Sequence, residues 1–432
     1  MKRRHFFQTL GSSALTLQAN RAGLLGAEQP ATNGPVNYAQ IPGVLPGDAE
    51  AYFTEEKLHR WIDTRVPLND HKFEVVCFNF PAWHPTPYME NIFGKGWTEW
   101  EILKRSTPLY PGHLFPKYPL WGYFNEADAE WAAREIDLAA DNGIDVWMID
   151  WYWHSGTRFY HEQLEQGFLK SPNRARLKFA IAWANHPWWN QYPANCSTPD
   201  DTAILLPQQH SEEDMLRVTD YCIEHYFHQP NYWRLDGKLV FCILGYDQLL
   251  KAFSPDQIPR VFDKMRARTM KAGLGDIHFQ TTVGYGGHKF EIKKLGFESV
   301  TQYHSFGRYK MWAEGSRTPF GEAARIAIEN WRDGAANTDV PFFPDCPVGW
   351  DDSPRYGKGT RMVTGRTADQ YARFLRAAQY FSAASSVQQK IIYLTAWNEW
   401  TEDHVLLPDT VHGYSYLDAI RRVFRSKPQD PG

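Results

Sequence analysis

The sequence predicts an α/β chain folded as one large (β/α)8 barrel with loop insertions. Two patterns and a length carry that reading. Short β-branched or aromatic runs alternate with longer amphipathic stretches, as expected of parallel strands joined by crossover helices. There are eight such runs, at residues 75–80, 145–150, 178–183, 239–244, 277–283, 299–303, 340–345 and 391–397. No Gly-x-Gly-x-x-Gly or Walker-type loop follows any of them, which argues against an open nucleotide-binding sheet. At 432 residues the chain has room for one barrel enlarged by insertions, assigned to 71–425.

The helical stretches fit between the runs. Residues 126–142 place Trp131, Ile136, Leu138 and Ala139 along the stretch, then stop at Asn142-Gly143 just before a strand. Stretches 211–228, 255–272, 320–333 and 368–382 read the same way. Long insertions follow the first, third and seventh strands. Ahead of the barrel, 28–70 carries Pro30, Pro35, Pro42, Pro46 and Pro67 and reads as a wrapping linker with a short helix around 55–62. Residues 426–432 form a tail.

The formal charge of −4 and the absence of a basic run give no electrostatic footprint for nucleic acid. No apolar stretch approaches the roughly 20 residues of a spanning helix, so no membrane span is expected. The first 27 residues hold Lys2, Arg3, Arg4 and Arg21 and no acid, with a weakly apolar run from Gly11 to Ala19. That pattern reads as a twin-arginine export signal and predicts a periplasmic or secreted protein. Of the five cysteines, Cys77 and Cys242 fall inside expected strands and read as core thiols, while Cys196 with Cys222 or Cys346 is a conceivable pair.

In barrels of this kind, active sites sit at the C-terminal ends of the strands. Twelve of the 18 tryptophans crowd those ends: Trp83, Trp97, Trp100, Trp147, Trp151, Trp153, Trp183, Trp188, Trp189, Trp350, Trp397 and Trp400. An indole face matches the C–H face of a pyranose and its N–H meets a hydroxyl, so this aromatic content points to a carbohydrate. Stacking on nucleic acid would want Lys or Arg alongside, and residues 183–191 and 395–404 contain neither. Acids fall at the same ends: Asp150, Asp345, Asp351, Glu399 and Glu402. Glycosidic cleavage uses one carboxylic acid to protonate the leaving oxygen and a second carboxylate on the other side. Glu399 is the first candidate, because aromatic neighbours raise a carboxyl toward a general acid. Asp150 and Glu402 are the candidate partners. His84, His186 and His304 are candidate sugar contacts. The acids Asp345, Asp351 and Asp352 read as solvated loop residues, so neither a metal nor a cofactor is implied.

Seven ordered motifs resemble a known family: Phe80-Pro81-Ala82-Trp83-His84-Pro85, Gly94-Lys95-Gly96-Trp97-Thr98-Glu99-Trp100, Gly143-Ile144-Asp145, Trp183-Ala184-Asn185, Asp236-Gly237-Lys238-Leu239-Val240-Phe241, Gly349-Trp350-Asp351-Asp352-Ser353-Pro354-Arg355, and Trp397-Asn398-Glu399-Trp400-Thr401-Glu402. Together they are similar to the glycoside hydrolase family 99-like proteins of the WbsX type, over roughly residues 73–425. Family 99 proper comprises retaining endo-acting α-mannosidases on a (β/α)8 barrel, working through the substrate's 2-hydroxyl with two assisting glutamates. The resemblance implies a carbohydrate-active barrel without carrying the activity over intact; Glu399 is expected to be the principal catalytic carboxylate, with Asp150 or Glu402 as its partner. Expected sugar contacts are His84, Trp97, Glu99, Trp151, Tyr152, Trp183, Asn185, His186, Trp189, His304, Trp350, Asp351, Arg355, Trp397 and Asn398. Two family carboxylates are replaced: the third-strand motif carries His186 where a glutamate is usual, and the last motif carries Leu407. Two alternatives to a hydrolase therefore stand: a catalytically silent carbohydrate-binding barrel, and a polysaccharide-cluster glycosyltransferase, although the chain has no Asp-x-Asp metal motif.

Overall fold

The computed structural model describes residues 53–189, 204–284, 289–307, 317–356 and 361–425. The expected leader, the first part of the wrapping segment and the tail lie outside those residues. Eight strands form the barrel wall: β1 Glu74–Asn79, β2 Val146–His154, β3 Lys178–Trp183, β4 Lys238–Ile243, β5 Ile277–Thr282, β6 Ser299–Thr301, β7 Asp345–Pro347 and β8 Ile391–Thr395. They neighbour one another in the order β6, β5, β4, β3, β2, β1, β8, β7, and each of these steps is parallel. The seam between β6 and β7 is narrow: Val300 N–H donates to Pro341 O and Phe343 N–H to Val300 O, both at 2.9 Å. The sheet thus curls into a nearly closed barrel, confirming the expected (β/α)8 class.

Several boundaries differ from the sequence reading, each for a local reason. The run at 340–345 makes a continuous ladder only from Asp345, because Pro341 and Pro344 have no N–H to donate. Strand β6 stops at Thr301 rather than 303, where the chain turns and His304 takes φ +65°. Strand β2 runs past residue 150 to His154 and folds back as a hairpin with Thr157–Phe159.

Nine helices are used below: α1 Glu55–Trp61, α2 Pro87–Phe93, α3 Trp100–Arg105, α4 Ala129–Asp141, α5 Glu212–Cys222, α6 Gln257–Lys271, α7 Phe320–Asn337, α8 Ala368–Ala384 and α9 Ser415–Phe424. Helix α4 starts where the Asp128 side chain accepts the Glu130 N–H. It buries Ala132, Glu135, Ile136 and Ala139 on one face, and Gly143 at φ +97° ends it without the penalty a Cβ would bring. Helix α5 ends at Cys222, short of the expected 228, as the chain widens into a π-type turn over Ile223–Phe227. Helices α2, α3 and α9 were not anticipated. Helix α1 lies on α8, where Arg373 Nη1 donates to Phe53 O at 2.9 Å. Cys77, Cys222, Cys242 and Cys346 are buried free thiols, and Cys196, the expected partner of Cys222 or Cys346, lies outside the described residues. No described helix is long and apolar enough to cross a membrane.

Candidate active site

One guanidinium gathers the acids. Arg355, in the short turn Ser353–Tyr356 after β7, donates from Nη2 to Glu99 Oε1 at 2.8 Å and to Glu399 Oε2 at 3.1 Å. Its Nε donates to Thr401 Oγ1 at 2.9 Å, and its Nη1 pairs with Glu402 Oε1. Glu99 comes from the insertion after β1, whereas Glu399 and Glu402 follow β8, so the planar fork ties three strand ends together. The Glu99 side chain is fully buried, that of Glu399 is 7% exposed and that of Glu402 14%, which makes Glu402 the most open of the three to solvent.

Backbone contacts hold these side chains in place. Asn398–Glu399 pairs antiparallel with His404–Val405, and the Asp351 N–H donates to Glu402 O at 2.7 Å. Arg366 braces the same turn, donating from Nη1 to Asp403 O at 3.0 Å and from Nη2 to Asp403 Oδ1 at 2.9 Å. Gly349 permits this: a Cβ there would sit 1.5 Å from Arg366 Nη1. Asp351 is further held by His113, whose Nε2 lies 2.6 Å from Asp351 Oδ2. His113 Nδ1 accepts the Leu109 N–H at 3.1 Å, so the ring proton sits on Nε2 and is donated to Asp351.

Burial pushes the Glu399 carboxyl well above its ordinary range, the neighbouring Glu402 charge adds to this, and Arg355 opposes it. Burial also raises Glu402, again against Arg355. Asp150, on β2, is raised well above its range by burial and by Glu402. It reaches the group through Tyr303, whose hydroxyl hydrogen-bonds the Asp150 carboxyl and lies 3.3 Å from Glu399 Oε1. Proton-holding carboxyls beside an arginine are equipped for acid and base work at one centre.

A second buried network lies behind Glu399. The Asn398 amide clasps the end of β1, accepting the Phe80 N–H at 2.7 Å and donating to Phe80 O at 2.8 Å and to Glu126 Oε2 at 3.2 Å. His84 stands between two carboxylates, with Nδ1 3.2 Å from Glu126 and Nε2 3.3 Å from Glu162. Desolvation lowers its pKa, but the two carboxylates outweigh that and leave it raised. Both ring nitrogens of His84 are engaged and 1% of its surface is exposed.

The remaining sequence candidates divide by strand parity. Successive β2 side chains face opposite sides, so Asp150 and Tyr152 share a face while Trp151 and Trp153 turn to the helical layer. There Trp151 Nε1 donates to Tyr226 OH at 3.2 Å and Trp153 Nε1 to Asp214 Oδ1 at 3.1 Å. Trp183 Nε1 donates to Trp153 O, and Trp397 Nε1 to Glu135 Oε1 on α4. The structure therefore does not bring Trp151, Trp183 or Trp397 to the carboxyls; they are packing residues. Trp97 is buried against Phe93 of α2. Tyr152 packs on Trp188 and Tyr160. Trp350 stacks on His304 at 3.9 Å, and His404 meets both rings edge-on. Asn185 bridges to the backbone of Gly245, while His186 donates from Nδ1 to Pro187 O at 2.9 Å. The Trp189 backbone pairs with Ile204–Leu206. Leu407 packs in the core. Sequence reasoning missed Tyr303, Glu126, Glu162 and His113. Tyr303 was within reach, being the last residue of an expected strand, but nothing local marks the others.

The chain folds as a nearly closed parallel barrel with Glu99, Glu399 and Glu402 gathered beyond the strand ends. The chain belongs to the family described as Glycosyltransferase WbsX, which it matches over residues 75–420. A solved structure described as a glycoside hydrolase-like protein superposes with a TM-score of 0.58 at 16% identity, over 88% of this chain and 99% of that one. The GH99 endo-alpha-mannosidase from Bacteroides thetaiotaomicron superposes with a TM-score of 0.54 at 16% identity, over 81% of this chain and 95% of that one. Such identities speak to fold. The uncharacterized protein WxcX of Xanthomonas campestris pv. campestris (strain B100) is 25% identical over 374 residues, 82% of this chain and 50% of that protein. The chain thus spans about half the length of the curated relatives it matches.

Proposed function

We propose that this protein is a glycoside hydrolase that cleaves an oligo- or polysaccharide, with Glu399 as the proton donor and Glu402 as the carboxylate partner. The observation that carries the reading is the joint hold of Arg355 on Glu399 and Glu402. Two carboxyls so close do not both ionise readily, so the pair keeps a proton for one member to give while the other stays charged. Glu399 is the more buried and suits the acid. Glu402, more open and paired with Nη1, suits the base that activates water or the sugar's own 2-hydroxyl. Asp150 supports the acid, Trp350 and Tyr152 supply aromatic surface near it, and an α-mannoside is the first substrate class to try, by analogy with the GH99 neighbour. Export is part of this reading, supported by Arg3-Arg4 and the apolar run that follows.

The test is digestion of a glycan panel, α-mannans first, with analysis of new reducing ends and product anomer. Reducing ends lost in both Glu399→Gln and Glu402→Gln are the expected result. The family's glycosyltransferase description supplies the rival: sugar transfer from a nucleotide donor, with no reducing ends from any glycan, would overturn hydrolysis. Glycan binding without either reaction would select the silent barrel.

A further inference from the structure

Three carboxyls, Glu99, Glu399 and Glu402, surround one guanidinium, and a fourth, Asp150, stands near Glu399 and Glu402. Were all four ionised, three negative charges would stand uncompensated among side chains that are mostly out of water. Groups so placed neutralise by keeping protons. Which of them keep protons is constrained by Tyr303, whose ring is fixed edge-on against Phe78 with centroids 4.8 Å apart.

The Tyr303 hydroxyl has one proton and meets two carboxyls: Glu399 Oε1 at 3.3 Å and the Asp150 carboxyl. A single O–H makes one full hydrogen bond as donor, so the second bond needs a proton brought by a carboxyl. Asp150 Oδ1 has no hydrogen-bond partner among the described residues, so that oxygen has no donor to stabilise a charge on it. The charged and titratable groups facing the three are Glu402 and Tyr152 toward all of them, Arg355 and Glu99 toward Glu399, and Cys242 toward Asp150.

We propose that Tyr303 is a proton bridge: Asp150, the Tyr303 hydroxyl and Glu399 hold two protons among three groups, and Asp150 supplies, through the phenol, the proton that Glu399 donates. This rests on the reading of Glu399 as proton donor. As Asp150 passes its proton to the phenol oxygen, the phenol proton moves to Glu399, which gives it to the departing sugar oxygen. Tyr303 ends as it began, Asp150 ends as a carboxylate, and one proton from water restores it. No electrons are transferred. Tyr303 is thus a positioning residue that acts through Glu399.

The test is the pH profile of kcat in Tyr303→Phe. A shared proton widens the range over which the pair stays singly protonated, so the plateau narrows from both sides, each limb moving by about one pH unit. Asp150→Asn brings the alkaline limb down by a similar amount, and the double variant moves it no further. A lower kcat with unmoved limbs, or shifts that add in the double variant, overturns the bridge. Infrared pH titration of the resting protein needs no substrate: a carboxylic acid C=O band at neutral pH should shift in both single variants. An unshifted band overturns the bridge even where hydrolysis is established. A shifting band with no hydrolysis of any glycan leaves the shared proton standing and overturns the assignment of Glu399 as donor.

Discussion

The backbone N–H of Asp351 donates to the carbonyl of Glu402 at 2.7 Å, which ties the loop after β7 directly to the turn after β8. Arg355 leaves the same loop four residues later and returns its guanidinium to the Glu402 side chain. Main chain and side chain together close a small clasp around the two proposed catalytic glutamates. Its parts can be tested singly.

Arg355 should be replaceable neither by lysine nor by alanine. A lysine ammonium cannot reproduce the fork that serves Thr401, Glu99, Glu399 and Glu402 at once. Arg355→Ala leaves the buried Glu99 without its cation and should cost about 3–5 kcal/mol in urea denaturation. Arg355→Lys should cost less stability but lower kcat about 100-fold, with KM little changed. A lysine variant with normal turnover would show that the fork is dispensable.

Asn398, the residue preceding Glu399, joins that turn to the end of β1. Asn398→Ala strips the partner from the buried Phe80 N–H and from Glu126 Oε2, at about 1–3 kcal/mol for each group left unpaired, while Phe80 O keeps the Ala82 N–H at 3.2 Å. Asn398→Asp keeps an acceptor for Phe80 N–H but sets a charge against the Glu126 carboxylate, so it should be no better tolerated. An aspartate variant that melts at the wild-type temperature would contradict this account.

His84 gives a pH dependence with a definite sign. Its pKa in the folded protein lies above the ordinary 6.5, set by Glu126 and Glu162 against desolvation. The folded state therefore holds its proton more tightly than the unfolded chain does. The stability it contributes is complete below about pH 6.5 and is lost as pH rises through the folded value. Wild type should thus exceed His84→Gln in stability by more at pH 6 than at pH 8.5, measured by urea midpoints. A gap that stays constant or widens with pH would mean His84 is neutral in place.

His186→Glu restores a carboxylate that the WbsX-type motif carries. His186 makes its hydrogen bond to Pro187 and, through its carbonyl, accepts from His154 Nε2 at 2.9 Å, without a bond to the Arg355 cluster. The substitution should therefore move KM or glycan preference and leave kcat on the best substrate within about tenfold. Abolition of turnover by His186→Glu would place residue 186 at the reacting centre.

Much of the fold could be read before any coordinates. Residues 178–183 form a strand with the expected bounds, because a continuous run of Phe179, Ala180, Ile181, Ala182 and Trp183 buried on both faces suits a barrel wall. The tryptophans were harder to read. Their clustering in sequence suggested open sugar platforms, yet Trp151, Trp183 and Trp397 are buried between wall and helices with their N–H groups satisfied. The first two lie on strands, where alternation sends neighbours to opposite faces, and a count of aromatics near a strand end does not see which face each takes.

What this sequence determined by itself is local: the run lengths that make strands, the helix stops, and the placing of Glu399 and Glu402 just beyond a strand end, whereas Asp150 lies within β2. Each of those depends on residues a few positions apart. Only the tertiary structure decided that Arg355 would reach Glu99 across 256 residues of chain, that His84 would be locked between Glu126 and Glu162, and that Tyr303 would join Asp150 to Glu399. Those meetings arise from closing the barrel. So does the exclusion of water that raises the carboxyl pKa values, because desolvation is a property of the surroundings and is not carried by any one residue.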